Sequence, residues 1–134
     1  LSWDKLLLLE FDNELEDYEE FLQVGTIAFN NLVDVYNEMN KTYNLLENNE
    51  VKNLFLPAIN NYYDKLIAME TILEGIEGLD VEMEQEGVNL LDIAANDSVD
   101  IACRFYTSLN KPEIKSLLTA EDIKKLDQFP ASCW

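Results

Sequence analysis

The sequence predicts an all-α protein: an irregular helical bundle of five or six helices built on a long antiparallel helical hairpin, with residues 1–134 forming a single domain. Three observations lead there. Apolar residues recur in a three-and-four rhythm from Leu15 through Tyr18, Leu22, Phe29, Leu32, Tyr36, Met39 and Tyr43 to Leu46, broken only by Gly25. That spacing lines one stripe of a helix and matches no strand, whose side chains alternate every two residues. The rhythm resumes at Phe55, Ile59, Tyr62, Leu66, Met69, Leu73 and Ile76 after the polar break Glu47-Asn48-Asn49-Glu50, which reads as the turn of an antiparallel pair.

In chain order, residues 1–11 form a short amphipathic segment, and Asp12-Asn13 caps a helix over 14–47. Gly25 within its apolar stripe costs about 1 kcal/mol against alanine, so it implies a close helix approach or a bend. Because proline suits a first helical turn, Pro57 places a turn over 50–56 and the main second helix over 56–74, with Gly75 and Gly78 as stop signals. One helix is expected over 79–96. Asn96-Asp97 should cap another with Ala102, Phe105, Tyr106 and Leu109 inward, and Lys111-Pro112 should end it. Thr119-Ala120-Glu121-Asp122 resembles a capping box that starts a last helix over 120–128. Tyr18, Tyr36, Tyr43 and Tyr62 are expected in the core with their hydroxyls at its edge. The alternatives are a ligand pocket or a second chain.

Composition excludes several chemistries. The chain has no histidine, which removes the usual general base, the usual metal ligand and every Ser-His or Cys-His nucleophile. Zinc and di-iron sites need histidine or clustered cysteine, and no glycine-rich phosphate loop occurs among only four glycines. Asp80, Glu82, Glu84 and Glu86 suggest a calcium loop, but Gln85 and Leu91 stand where a glycine and a bidentate glutamate are needed. The expectation is therefore a protein that is not an enzyme and uses no cofactor or metal.

The formal net charge of -18 points instead to binding. Such a surface repels nucleic acid and anionic membrane and attracts a basic patch on another protein. Candidate contact residues are Glu14, Glu16, Asp17, Glu19 and Glu20 in one cluster and Asp80, Glu82, Glu84 and Glu86 in a second. Two cysteines, Cys103 and Cys133, are expected to form a disulfide that holds the C-terminal tail, worth about 3 kcal/mol in a chain-entropy account. Buried and exposed free thiols are the alternative. The disulfide, together with a chain that starts at Leu1 without methionine, suggests secretion. Leu6 to Leu9 is too short to span a membrane. Asn96 in an expected loop and Asn40 within a helix occupy glycosylation sequons. The leading expectation is a secreted inhibitor or host-interaction effector that occupies a basic patch on its target. The alternatives are an intracellular nucleic-acid mimic and a carrier of a small apolar ligand.

Overall fold

The computed structural model describes residues 15–129. Among these the chain is all-helical, with five helices and no strand. They are α1 (Leu15–Leu45), α2 (Asn49–Glu77), α3 (Val81–Leu109), α4 (Pro112–Lys115) and α5 (Ala120–Leu126). The expected all-α bundle on an antiparallel hairpin is what the chain forms. The segment 1–11 and the cap at Asp12-Asn13 lie outside the described residues.

Helix α2 is the central element. Both α1 and α3 pack along it, while α1 and α3 scarcely approach one another. It therefore buries two faces rather than the single stripe expected of a hairpin partner. Leu66, Met69 and Ile76 meet α1 residues Phe21, Ala28 and Leu32 in one core cluster. A second face, through Asn61, Ala68, Ile72 and Gly75, lies against α3. On α1 the buried line runs through Phe21, Gly25, Ala28, Leu32, Met39 and Thr42, and Leu46 just after the helix continues it. Phe29, Tyr36 and Tyr43 sit half-buried at its edge. Tyr62 is also half-buried, and the side chain of Tyr18 lies outside the described residues.

Several helix boundaries differ from expectation. α2 begins at Asn49, so Pro57 lies inside the helix and not in its first turn. The Asn48 side chain caps the helix by accepting from the amides of Glu50 and Val51. Val51 and Phe55, 0% and 1% exposed, anchor the segment before the proline. Burying those two side chains at about 1.5–3 kcal/mol each outweighs the lost proline hydrogen bond. α3 is likewise one helix through Asn96-Asp97, which cap nothing. Its apolar register continues through Leu91, Ala94 and Phe105, and α2 docks along the whole length.

Gly75 does not stop α2. It lies one turn inside, where an added Cβ would fall 2.5 Å from the Glu84 amide nitrogen, so it lets α3 start against α2. The helix ends in a Schellman arrangement, with Leu79 N–H donating to Ile76 O and Asp80 N–H to Gly75 O. The left-handed position that such an ending favours glycine for is occupied by Leu79, at φ 53. Near the C-terminal end the Thr119–Asp122 capping box is present and opens α5.

Two cores result. The first contains Phe21, Ala28, Leu32, Leu66, Ala68, Met69, Ile72, Ile76 and Leu91. The second gathers Met39, Leu46, Val51, Phe55, Ile59, Phe105, Leu109 and Leu126, with Phe129 packed on it.

Candidate binding surfaces

Antiparallel packing brings the two expected acidic clusters to the same end of the bundle, although more than 60 residues of chain separate Glu19 from Glu82. The start of α1 lies beside the end of α2, because Gly25 faces Leu73 and Met69 while Phe21 shares a core with Ile76. The start of α3 lies there too, fixed by Gly75 against Glu84 and Gly87 against Ile72. Glu19, Glu20, Asp80, Glu82 and Glu86 are exposed. Asp80 also caps α3 by accepting from the Met83 amide. Glu84 is half-buried against α2, and desolvation raises its carboxyl above the ordinary range. Glu16 and Asp17 belong to the first turn of α1, and Glu14 lies outside the described residues.

Charge is divided along the bundle axis. No lysine or arginine occurs from Leu15 to Asn40 or from Leu66 to Cys103, yet these two stretches carry sixteen carboxylates. The remaining described stretches, 41–65 and 104–129, hold eight cations and seven carboxylates. The only ion pair among the described residues, Arg104 to Asp100 at 3.2 Å, spans the boundary and is exposed. The two cation-free gaps are visible in the sequence, but only the helix pairing shows that they coincide in space. The acidic end also exposes apolar side chains: Leu79 is 78% and Val81 75% exposed, with Leu90 and Ile93 further along α3. Leu79 does so from a backbone conformation that costs a non-glycine residue about 1–2 kcal/mol.

A second feature lies beside the second core, where α1 and α3 separate over α2. A groove of about 610 Å³ opens there, lined by residues of all three helices and by Gln128 and Phe129. Its lining is mainly apolar and aromatic, including Val35, Phe55, Ala58, Val99, Ala102 and Phe105. Lys65 lines it half-buried, with its ammonium 4.4 Å from the Tyr62 ring centroid. Burial lowers the Lys65 pKa and raises that of Tyr62. Asp34 and Glu38 lie on the α1 wall and are exposed. The polar groups beneath are satisfied internally. Asn61 Nδ2 donates to Ala94 O at 2.9 Å, and Ser98 Oγ donates to Asn61 Oδ1 at 2.6 Å. At the far end the Tyr106 hydroxyl donates to the Phe129 carbonyl and Gln128 Nε2 donates to Thr42 Oγ1 at 3.0 Å, so the chain after α5 forms a wall of the groove.

Neither sequon lies in a loop. Asn96 is exposed on continuous α3, against the loop expected for it, and the Ser98 hydroxyl of its sequon is engaged by Asn61. Asn40 is half-buried in α1, where its Nδ2 donates to Tyr36 O, and Thr42 of its sequon is buried. Cys103, half-buried on α3, is disulfide-bonded, and Cys133 lies outside the described residues.

Among the described residues no group of three histidine, cysteine or carboxylate side chains is placed to hold a metal ion, and no helix is long and apolar enough to cross a membrane. No family model, curated protein or solved structure matches the chain.

Proposed function

We propose that the protein is a secreted, non-enzymatic binding protein, an inhibitor or effector, whose acidic end occupies a basic patch on a partner protein. The observation that carries this reading is the gathering of the Glu19–Glu20 and Asp80–Glu86 clusters at one end, free of lysine and arginine among the described residues. Exposed carboxylates steer a basic partner into encounter, and contact at Leu79 and Val81 supplies the apolar burial that such charges do not. A leucine held exposed in the left-handed region is the kind of local cost that a partner contact offsets. A disulfide between Cys103 and Cys133 belongs to this reading, since it suits an oxidising compartment.

The test is capture of a partner by the immobilised protein, followed by kinetics on the isolated pair. Substituting Glu82, Glu86, Glu19 and Glu20 with lysine lowers the association rate at least tenfold, and raising salt does the same to wild type. Leu79→Ala speeds dissociation instead. A partner whose binding ignores both salt and charge reversal removes the acidic end from the mechanism.

The groove favours a second reading, a carrier of a small apolar ligand. Its volume falls within the roughly 300–1,000 Å³ of small-molecule sites, and its apolar lining with a few polar groups matches their character.

A further inference from the structure

The groove between α1 and α3 contains one partly buried cation in a chain of 27 acidic and 9 basic residues. Lys65 forms no ion pair with any described residue, and its ammonium rests on the Tyr62 ring. Arg104, by contrast, stands in water and pairs with Asp100. The groove therefore holds a positive charge that has lost part of its hydration without meeting a carboxylate of the described residues. From this juxtaposition, and resting on the carrier reading above, we infer that the groove is a binding site for an apolar molecule bearing a carboxylate, with Lys65 as the anchor for the acid and Phe55, Val99, Ala102 and Phe105 as the bed for the hydrocarbon.

The sign of the ligand charge follows from burial. Asp34 and Glu38 also border the groove, but they are exposed, so water and salt weaken their repulsion of an incoming anion. Lys65 is half-buried, and an ion pair to a partly desolvated ammonium is stronger than one in water. The -18 net charge acts from further away and is screened beyond about 10 Å at 0.1 M salt. A cationic head group would lie against the Lys65 ammonium and lose that contact. The lowering of the Lys65 pKa by burial agrees with the geometry, because a carboxylate beside it restores the favourable environment of the charged form. Asn61 and Ser98 are committed to the α2–α3 contact and leave the anchoring to Lys65.

Delipidated protein is titrated with three probes of equal chain length, oleate, oleyl alcohol and oleylamine, below their aggregation limits. Stoichiometry is read by native mass spectrometry and affinity by displacement of a fluorescent fatty acid. Oleate binds one to one and at least about tenfold more tightly than the other two. Lys65→Met, which keeps the apolar stem, removes that preference and leaves the alcohol unaffected. Val99→Trp at the exposed rim and Ala102→Trp within the groove abolish binding of all three probes, the rim variant guarding against a folding defect in the other. Equal binding of all three probes, blocked by Val99→Trp, overturns the carboxylate assignment and leaves the carrier reading standing. Preference for the amine, or indifference to Lys65→Met, overturns it too. No binding of any probe overturns both readings.

Discussion

The two halves of this bundle use the same three helices to opposite ends. In the acidic half, small residues let α2 and α3 touch: a Cβ on Gly87 would fall 2.7 Å from the Ile72 amide nitrogen and 2.9 Å from the Ala68 carbonyl oxygen. In the other half, rings stand where those glycines and alanines stood. Phe55 and Phe105 meet at 5.4 Å between centroids and Phe55 and Phe129 at 5.6 Å. The first half closes at the α2–α3 contact and carries the negative charge outward, and its hollow along Val81, Glu82, Glu86, Leu90 and Ile93 is an open face of α3 alone rather than a groove between helices. The second holds the lysines and the arginine of the described residues and borders the groove. Glycine and alanine bring helix backbones into contact, whereas aromatic cores hold them apart and leave irregular space between large rigid groups. Residue size along α2 thus decides where the molecule has a surface and where it has a pocket.

The largest expected effect tests the aromatic half. Phe55 is 1% exposed and touches two other rings, so Phe55→Ala should cost about 3–5 kcal/mol in denaturant unfolding. A loss below about 1 kcal/mol would show that the groove half is already loose and that its rings do not space the helices. Next comes the close crossing. Gly87→Ala should destabilise by about 1–3 kcal/mol even though alanine favours helix, because the new methyl meets backbone that cannot turn aside. Gly25→Ala is the internal control. Its methyl would meet the Leu73 Cδ2 and Met69 Cε ends, which can rotate away, so its cost should be far smaller or absent. Equal penalties at 25 and 87 would end the distinction between a backbone crossing and a side-chain one.

The smallest effect concerns pH. Because burial raises the Glu84 pKa, the folded state holds that proton more tightly than the unfolded chain does. Ionised Glu84 therefore opposes folding above its folded-state pKa, and the penalty lifts as pH falls from neutrality towards the ordinary glutamate value of about 4.3. Glu84→Gln should stabilise slightly at pH 7 and lose its advantage on acidification. A Glu84→Gln advantage that grows as pH falls would reverse the sign of this argument.

These contrasts also show what could be read from the sequence. The spacing of apolar residues was enough for the all-α class and the hairpin, since few other arrangements bury Leu32, Leu66 and Met69 together. It did not reveal that α2 is shared, because Ala68, Ile72 and Gly75 signal a second buried face only once α3 is known to lie there. Local signals failed where tertiary contact outweighed them. Pro57 is carried inside α2 by buried Val51 and Phe55, and Asn96-Asp97 are carried inside α3 by the packing of Leu91, Ala94 and Phe105. The acidic clusters were nameable residue by residue, but their meeting at one end is a property of topology. The groove depends on ring placement around Lys65, which no spacing rule encodes.

The unequal division of charge along the bundle has one more consequence. Among the described residues, Glu19, Glu20, Asp80, Glu82 and Glu86 stand exposed at one end, while every lysine and arginine lies in 41–65 or 104–129, which makes the described bundle a permanent electric dipole aligned with its helices. A field acts on such an object with a torque as well as a pull. On approach to a cationic surface the bundle rotates before it touches, over the roughly 8 Å that physiological salt leaves unscreened. If the partner is the basic surface proposed above, the turn that exposes Leu79 faces it on arrival, so fewer collisions are wasted on wrong faces. The α5 end points away from the surface, and the groove stays open to the solution beside it.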